Sequence, residues 1–307
     1  MNIGVDIGGT KCAVVCGDRG GIVRKIRFET TSKDETIQNI ISAIRTLGGG
    51  DAIGISCGGP LDANKGLILS PPNLIGWDNV PIVEMLQTEF GVPAYLCNDA
   101  DACALAEWQY GAGKGTENMI FLTFGTGMGA GLILGGRLYR GACGMAGEIG
   151  HVRIAPFGPT GYGKIGSFEG FCSGGGIAQL GKTLALEKLQ RGETLPYCKS
   201  KNELDGITAK LLAEHARAGD ETALETYRLC AEKLGAGLSI LVDILNPEVI
   251  VIGSIFARAE DLLRETMEGV LKREALPHAL GQCRILPTAL GEAIGDYAAL
   301  AVSYGVQ

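Results

Sequence analysis

The stretch Val5-Asp6-Ile7-Gly8-Gly9-Thr10-Lys11 places a glycine-rich turn directly after an apolar, strand-like segment. A similar stretch, Leu122-Thr123-Phe124-Gly125-Thr126-Gly127-Met128-Gly129, occurs much later in the chain. When the two are aligned, Gly125 falls on Gly8, and each turn is followed by a short apolar run that ends in a further glycine turn. The sequence therefore predicts a β-hairpin that is made twice, and such an internal repeat is the first guide to the fold.

The residues of the two turns suit phosphate binding. Glycine has no Cβ and tolerates positive φ, so main-chain N–H groups can converge on an anion. One glycine-rich hairpin turn alone is more often only a turn, but two of them could hold a polyphosphate. Asp6 adds the oxygen ligand that a nucleotide-bound Mg²⁺ requires, often through water. The candidate nucleotide-binding residues are Asp6, Gly8, Gly9, Thr10, Lys11, Gly125, Thr126 and Gly127.

The motif Asp-x-Gly-Gly-Thr at Asp6 to Thr10, together with Gly-Thr-Gly-x-Gly at Gly125 to Gly129, resembles the actin-like sugar kinase superfamily. The branch that it resembles most is the ROK family of repressors, open reading frames and kinases. This resemblance implies an α/β fold of the two-domain actin-like ATPase (ribonuclease H-like) type with an interdomain cleft. It also implies that the protein uses ATP and Mg²⁺. We expect an N-terminal domain at residues 1–117, a C-terminal domain at 118–290, and a last helix at about 291–307 that packs back on the first domain.

Length and composition fit a globular two-domain protein. The chain has 307 residues, of which 46% are hydrophobic, and this is enough for two buried cores. Its net charge of −7 and pI near 5.2 argue against nucleic acid as a partner, because binding to phosphate backbones requires clustered Lys and Arg. No signal peptide and no apolar run of about 18 residues is found, so we expect a cytoplasmic protein without a membrane segment. Most of the ten cysteines lie in apolar runs, and we expect reduced thiols.

Local patterns predict the elements around the turns. Residues 22–28 resemble a third strand of the first sheet, and a helix with capping-box spacing at Ser32 and Glu35 follows it. The segment Gly48-Gly49-Gly50 ends that helix. A long helix is expected from about Asp220 to Leu245.

Asn98 and Asp99 lie between a predicted strand, Ala94 to Cys97, and a run of strong helix formers. In α/β folds, ligands bind at this position, the carboxyl end of a strand and the amino end of a helix. Asn and Asp are also common helix N-caps without any further function. The segment Asn98 to Glu107 matches the ROK pattern Asn-Asp-Ala-x-x-x-Ala-x-x-Glu, and this resemblance implies that Asp99 is the catalytic base.

Further candidate sugar ligands follow from the resemblance. Asn73 closes a loop that leads into the sugar pocket of ROK proteins, although a Pro-Asn turn explains it equally well. The run from Gly147 to His151 matches a family segment whose Glu and His face the sugar. Carboxylates and amides can bond several sugar hydroxyls at once. The implied sugar-binding set is Asn73, Asn98, Asp99, Glu148, His151 and Glu169.

The chain departs from the family in its zinc segment. In most ROK proteins, His is followed by Cys-x-Cys-Gly-x-x-Gly-Cys-x-Glu, and the three thiolates and the histidine bind zinc. Here Thr160, Tyr162 and Ser167 occupy the cysteine positions, whereas the glycines and Glu169 are retained. We therefore expect no zinc and a loop that is held by packing and hydrogen bonds, with Tyr162 and Ser167 as candidates. The orientation of His151 is left open.

The strand-like run Val249 to Ile252 ends at Gly253. A strand that runs into glycine resembles the adenosine-side motif of actin-like kinases, where a bare backbone lets the nucleoside lie against the chain. An ordinary glycine at a strand end is the alternative.

Taken together, the resemblance implies an ATP-dependent hexose kinase with Asp99 as the general base toward a sugar hydroxyl. We expect this hydroxyl to be the 6-OH of glucose or a related hexose. An N-acetylhexosamine kinase or a fructokinase of the same family is the alternative. A sugar-sensing repressor would carry a DNA-binding winged helix before the first turn, whereas Asp6 is only the sixth residue here. An actin-like filament or chaperone ATPase would not require the sugar-binding set. We also expect a homodimer.

Overall fold

The computed structural model describes residues 1–305 of the chain. The strands are β1 (Asn2–Ile7), β2 (Lys11–Asp18), β3 (Gly21–Glu29), β4 (Ile53–Cys57), β5 (Leu61–Asp62), β6 (Leu67–Ile68), β7 (Ala94–Asn98), β8 (Met119–Leu122), β9 (Ala130–Leu134), β10 (Arg137–Tyr139), β11 (Thr160–Gly161), β12 (Lys164–Ile165), β13 (Val249–Ile252) and β14 (Arg284–Pro287). The helices are α1 (Lys33–Leu47), α2 (Ile82–Phe90), α3 (Asp99–Tyr110), α4 (Phe168–Phe171), α5 (Gly174–Gln190), α6 (Ala209–Arg217), α7 (Glu221–Leu245), α8 (Ile255–Arg258), α9 (Glu260–Glu274), α10 (Pro277–Leu280) and α11 (Ile294–Val302). Short 3₁₀ turns occupy Ile149–His151, Lys201–Gly206 and Gly291–Ala293.

The chain forms two compact units. The first unit comprises Met1–Phe121, Gly131–Ala146 and the segment from Thr288 to the end of the described chain. The second unit comprises Leu122–Ala130 and Gly147–Pro287. The domain limits expected from the sequence stay a prediction.

The first sheet has the strand order β3-β2-β1-β4-β7. Strands β1, β2 and β3 pair antiparallel, as the predicted hairpin and third strand require, and β4 and β7 continue the sheet in parallel. One face packs on α1 through an apolar cluster that includes Val5, Ile40 and Ile55. α11 contacts β1 and β4 so closely that a Cβ at Gly4 would lie 2.5 Å from the Leu300 nitrogen. A glycine is required there because a side chain would push the helix off the sheet.

The beginning of α1 differs in detail from the sequence prediction. Ser32 is the N-cap residue, but its side chain makes no capping hydrogen bond. The Thr36 hydroxyl accepts from the Thr31 backbone N–H at 3.0 Å instead. The capping box predicted for Ser32 and Glu35 is therefore wrong. The predicted end is confirmed: Gly48 is the C-cap, with φ of +94°.

The second sheet has the order β10-β9-β8-β13-β14, so β8 and β9 form the predicted second hairpin. β13 and β14 pair in parallel. The second unit is rich in helices, and α5, α6 and α9 pack against the long helix α7. α7 begins after Asp220, whose carboxylate accepts from the Ala223 N–H at 2.8 Å, and it ends at Leu245 as predicted. In residues 1–305, no helix combines the length and the apolar character needed to cross a bilayer.

Candidate active site

The first glycine turn joins β1 to β2 in the first unit. The Gly8 N–H donates to the Lys11 carbonyl at 3.2 Å, and the Thr30 hydroxyl donates to the Gly8 carbonyl at 2.6 Å. Neither Gly8 nor Gly9 has positive φ. A Cβ at Gly9 would lie 2.6 Å from the Asn73 carbonyl oxygen. These glycines are thus required by close backbone packing and not, as the sequence suggested, by a left-handed conformation.

The second glycine turn, in the second unit, is closed differently. The Thr123 N–H donates to the Gly129 carbonyl at 3.0 Å, and the Gly129 N–H donates to the Thr123 hydroxyl at 2.8 Å. The Gly125 N–H donates to the Gly127 carbonyl at 3.2 Å, and Thr126 is exposed. The Gly125 and Gly129 N–H groups are thus bonded within the turn, which carries no acidic residue of its own. Phosphate binding by this turn stays a prediction.

Asp6 is a half-buried carboxyl group at the end of β1. Loss of hydration and the negative charges of Asp296 and Asp99 raise the pKa of Asp6 to about 7, and Lys25 and Lys11 act in the opposite direction. A Cβ at Gly295, in the first turn of α11, would lie 3.1 Å from the Asp6 Oδ2 atom. The ionised form of Asp6 is thus disfavoured by burial and by two neighbouring carboxylates, and a bound cation would favour it.

Asp296 is a neighbour of Asp6 that the sequence did not predict. It is buried, and its carboxylate pairs with the Lys25 ammonium group and, at 3.3 Å, with the Arg27 guanidinium group. A buried acidic residue in an otherwise small and apolar helix is the signal that could have revealed it.

Asn98 and Asp99 occupy the junction of β7 and α3 as predicted. The Asn98 Oδ1 atom accepts from the Asp101 N–H at 2.7 Å, and its Nδ2 group donates to the Asp101 carboxylate at 3.1 Å. The Ala100 N–H donates to the Asp99 Oδ1 atom at 2.9 Å. Asp99 reaches solvent, yet the protein around its carboxyl group removes hydration and raises its pKa above the ordinary value.

Asn73 lies in a turn, because the Leu74 N–H donates to the Pro71 carbonyl at 2.9 Å. The turn places Asn73 against Gly9 of the first glycine turn. Asn73 is exposed. Its role as a sugar ligand stays a prediction.

In the second unit, Glu169 lies beside the second glycine turn. Its Oε2 atom accepts from the Met128 N–H at 3.0 Å, and a Cβ at Gly127 would lie 2.8 Å from the same oxygen. Glu148 is exposed at the start of a 3₁₀ turn, and His151 ends that turn, half-buried. The sequence predicted Glu169 as a sugar ligand but not its contact with the glycine turn.

The segment that replaces the zinc site is a two-stranded hairpin, β11 and β12, which leads into α4. The Gln179 side chain bonds both backbone groups of Thr160, at 3.0 and 2.9 Å. Ser167 is buried and caps α4 by accepting from the Gly170 N–H at 3.1 Å. Ser167 thus holds the loop through a hydrogen bond, as expected, whereas Tyr162 is exposed and contacts only the His151 ring among the aromatic side chains of residues 1–305.

The side chains at the four family zinc positions do not fit zinc, because only His151 is a usual zinc ligand among them. The nearby Cys172 is buried, and its thiol donates to the Cys230 carbonyl at 3.5 Å. Within the described chain, no group of three or more His, Cys, Asp or Glu side chains could hold a metal ion.

Gly253 is buried at the end of β13, and its N–H donates to the Leu122 carbonyl at 2.9 Å. The chain then enters α8, which borders a cavity of about 820 Å³ within the second unit. This cavity includes apolar and charged side chains, among them Tyr227, Ile255, Ala178, Lys210, Glu214 and Arg258. The sequence identified Gly253 but missed the cavity, because its wall comes from four separate helical segments.

Glu107 has a role that the sequence did not predict. It is fully buried near the end of α3, and its carboxylate accepts from the Ala112 N–H at 2.8 Å. It also accepts from the Thr288 hydroxyl and from the Leu290 N–H at 3.1 Å. Glu107 therefore anchors the segment through which the chain re-enters the first unit.

These features define the class of protein: the fold, with its duplicated hairpin and paired five-stranded sheets, is that of the actin-like ATPases. The sequence profile described as the ROK family matches residues 2–302. The chain belongs to the ROK family.

The similarity extends over most of the chain. A glucokinase of Streptomyces coelicolor is 34% identical over 279 residues, 89% of this chain and 87% of that one. An N-acetylmannosamine kinase of Escherichia coli is 32% identical over 267 residues, 85% of each chain. The crystal structure of a ROK family glucokinase from Streptomyces griseus in complex with glucose and AMPPNP superposes with a TM-score of 0.74, at 30% identity over 99% of both chains.

Proposed function

We propose that this protein is an ATP-dependent kinase of a hexose hydroxyl, with Asp99 as the general base. The proposal depends on the proximity of two carboxyl groups in one unit, Asp99 at the amino end of α3 and Asp6 at the first glycine turn. The charge of Asp99 contributes to the raised pKa of Asp6, and the pKa of Asp99 is raised as well. Carboxyl groups with perturbed pKa values occur preferentially at functional sites. The similarity to glucokinases and to a glucokinase bound to glucose and AMPPNP supports the same reaction.

The structure suits Asp99 for proton transfer. The Ala100 N–H bonds the Oδ1 atom of Asp99, and we propose that the Oδ2 atom accepts the sugar proton. A base works best when its pKa lies near the working pH, so a raised pKa improves Asp99. We propose that the proton that Asp99 accepts comes from the 6-OH of the sugar. The transferred phosphoryl group passes through a loose transition state, so positioning contributes more than early deprotonation.

We assign nucleotide binding to Asp6, to the backbone of Gly8 to Lys11, and to Gly125, Thr126 and Gly127. Mg²⁺ bound with ATP would neutralise phosphate charge, and the carboxylate of Asp6 is a suitable ligand for it through water. The cavity that follows Gly253 has the size and the apolar wall for an adenosine group.

Sugar binding is assigned to Asn73, Asn98, Asp99, Glu148, His151 and Glu169. Asn98 keeps one N–H for a sugar hydroxyl, because Asp101 engages its Oδ1 atom and one Nδ2 hydrogen. Glu169 keeps its Oε1 atom, since Met128 uses Oε2. Both side chains are therefore held in place and still have bonding capacity for a ligand.

A second candidate substrate is an N-acetylated hexosamine, which the similarity to N-acetylmannosamine kinase favours. That substrate carries an acetamido group at C2 in place of a hydroxyl group. The two candidates differ only in the sugar and share the nucleotide site and the base.

The experiment is ADP release from Mg-ATP across glucose, fructose, mannose, allose, N-acetylmannosamine and N-acetylglucosamine, with a sugar-free control. We expect release that depends on a hexose, with ³¹P NMR placing the phosphate on O6. ADP release that is equal with and without every sugar would contradict the proposal and favour a sugar-independent ATPase. A preference for an N-acetylated sugar would select the second candidate.

We further propose that the protein contains no structural zinc, since the donors at the family positions are unsuitable. The homodimer, the cytoplasmic location and the domain limits stay predictions. Zinc at about one equivalent in protein prepared in metal-free buffer would contradict the proposal that the protein contains no structural zinc.

A further inference from the structure

Tyr162 is held in an unfavourable conformation at the tip of the β11–β12 hairpin. Its φ is +43°, and that of Gly163 is +76°. A two-residue hairpin turn with positive φ at both positions is usually made by Asn-Gly or Gly-Gly, because other side chains are strained there. The Tyr162 side chain is also 84% exposed, although its ring is apolar. Neither feature stabilises the fold, so Tyr162 is a candidate for a functional contact.

The contact that Tyr162 makes is with His151. The two ring centroids are 4.9 Å apart and the planes meet at 77°, an edge-to-face arrangement. Such pairs favour one relative orientation of the two rings. The strained turn therefore presents the tyrosine ring to the histidine that the proposed function places at the sugar.

The next strand supplies a second contact to the same residue. The Lys164 ammonium group donates to the His151 carbonyl at 2.7 Å. Lys164 pairs with Gly161 across the hairpin, and a Cβ at Gly161 would lie 2.5 Å from the Gly170 nitrogen. With Gln179 bonded to Thr160, the hairpin is fixed at its base. The ring and the backbone of His151 are thus both held from a rigid element.

We infer that Tyr162 and Lys164 hold His151 in the orientation for sugar binding, the task that a metal ion would otherwise perform at these positions. Both are positioning residues, because they act through His151. The inference rests on the proposed function for the sugar contact of His151, but the orientation of the ring can be tested without any sugar.

The test uses histidine labelled with ¹³C at Cε1, because the chain has only three histidines. His151→Gln assigns the His151 signal. Tyr162→Gly removes the ring and relieves the strained φ, so it preserves the hairpin turn. We expect it to shift the His151 signal and leave the His215 and His278 signals unchanged. Tyr162→Phe retains the ring and should restore the wild-type spectrum. Phe157→Ala, which removes another exposed ring of the same segment, is the matched control and should shift nothing.

Kinetics provide the second readout. Tyr162→Gly should raise KM for the sugar by about threefold to tenfold and change kcat by less than about twofold, since a ring pair is worth that much in binding. Lys164→Met should raise KM by about twofold to fivefold, and Tyr162→Phe should match the wild type. Zinc content is measured in the same samples and should be negligible.

The outcomes separate the two proposals. A His151 signal that is unchanged in Tyr162→Gly, or zinc bound at about one equivalent, would overturn the positioning role and leave the kinase reaction intact. A wild-type His151 signal that fails to respond to the preferred sugar would remove the sugar contact of His151 and with it the functional half of this inference.

Discussion

The two glycine turns have similar sequences, but they differ at the residue that precedes each turn. Asp6 in the first repeat corresponds to Thr123 in the second. The Thr123 hydroxyl bonds its own hairpin by accepting from Gly129, whereas the Asp6 carboxyl group lies among other acidic groups and has a pKa of about 7. The two repeats therefore close their glycine turns differently, and only the first carries an acidic residue at this position.

The second turn receives its carboxylate from elsewhere in the chain. Glu169, in α4, bonds the Met128 N–H, and the first turn has Asp6 on its own strand with Asp99 close enough to raise its pKa. We interpret the first turn as the place of metal binding and proton transfer and the second as a place of recognition. The following predictions test that division.

The largest effect is expected for Asp99→Asn. The amide keeps the shape of the side chain but cannot accept the sugar proton, so kcat should fall by about 10²- to 10⁴-fold or more. ATP affinity should stay unchanged. Steady-state ADP release measures the first quantity and calorimetry with a non-hydrolysable ATP analogue the second. A variant with wild-type kcat would end the assignment of the base.

The next largest effect is expected at Asp6, which is compared with Thr123, the corresponding position of the second repeat. Asp6→Asn should lower activity by about 10- to 100-fold and raise the Mg²⁺ concentration needed for half-maximal rate, because water-mediated metal ligands contribute on that scale. Thr123→Val is the matched change in the second repeat. It should cost about 1 kcal/mol of stability through the lost hydrogen bond and leave the Mg²⁺ requirement unchanged. Equal Mg²⁺ dependence in both variants would contradict the assignment of metal binding to the first turn.

A smaller effect is expected for Glu169→Gln. A charged acceptor bonds a hydroxyl about twice as strongly as a neutral one, so sugar affinity should weaken by about tenfold. The Gln side chain can still accept from Met128, so the second turn should remain intact and the KM for ATP should change little. Calorimetric titration with the preferred sugar measures the affinity. A fall in kcat with unchanged sugar affinity would place Glu169 in the chemistry instead.

The last effect concerns stability and not activity or binding. The pKa of Asp6 rises from 3.8 to about 7 on folding, so the folded state binds this proton more tightly than the unfolded state does. Ionised Asp6 therefore destabilises the fold as pH rises from about 4 to about 7, and the full cost is present above pH 7. Asp6→Asn should raise the free energy of unfolding by about 1 to 3 kcal/mol at pH 8, with no gain near pH 4. Urea unfolding at both pH values checks this, and an equal change at both would exclude the ionisation of Asp6 as the cause.

Features that depend on neighbouring residues in sequence were predicted well. The two hairpins, the start of α3 after Asn98 and the extent of α7 each follow from a local pattern of glycine, capping residues or apolar periodicity. The chain departs from prediction at Ser32, whose side chain makes no capping hydrogen bond, while the neighbouring Thr36 hydroxyl accepts from the Thr31 N–H.

Features that join distant segments could not be predicted. The pair of Lys25 with Asp296 spans 271 positions, and the bond of Thr288 to Glu107 spans 181. Glu169 reaches the second turn across 41 positions. No periodicity in a single sequence specifies such pairs, because they depend on how whole elements pack. The candidate site residues were therefore predicted from motifs, and the structure alone reveals their hydrogen-bond and ion-pair partners.

The central claim is that Asp99, which lies near Asp6 of the first turn, carries out chemistry, and that Glu169, beside the second turn, binds substrate. Sugar affinity measured by calorimetry without nucleotide, on Asp99→Asn and Glu169→Gln prepared in parallel, tests it most directly. The account predicts that Asp99→Asn keeps the wild-type dissociation constant within about threefold while Glu169→Gln weakens it about tenfold. Lost affinity in Asp99→Asn together with full affinity in Glu169→Gln would contradict it.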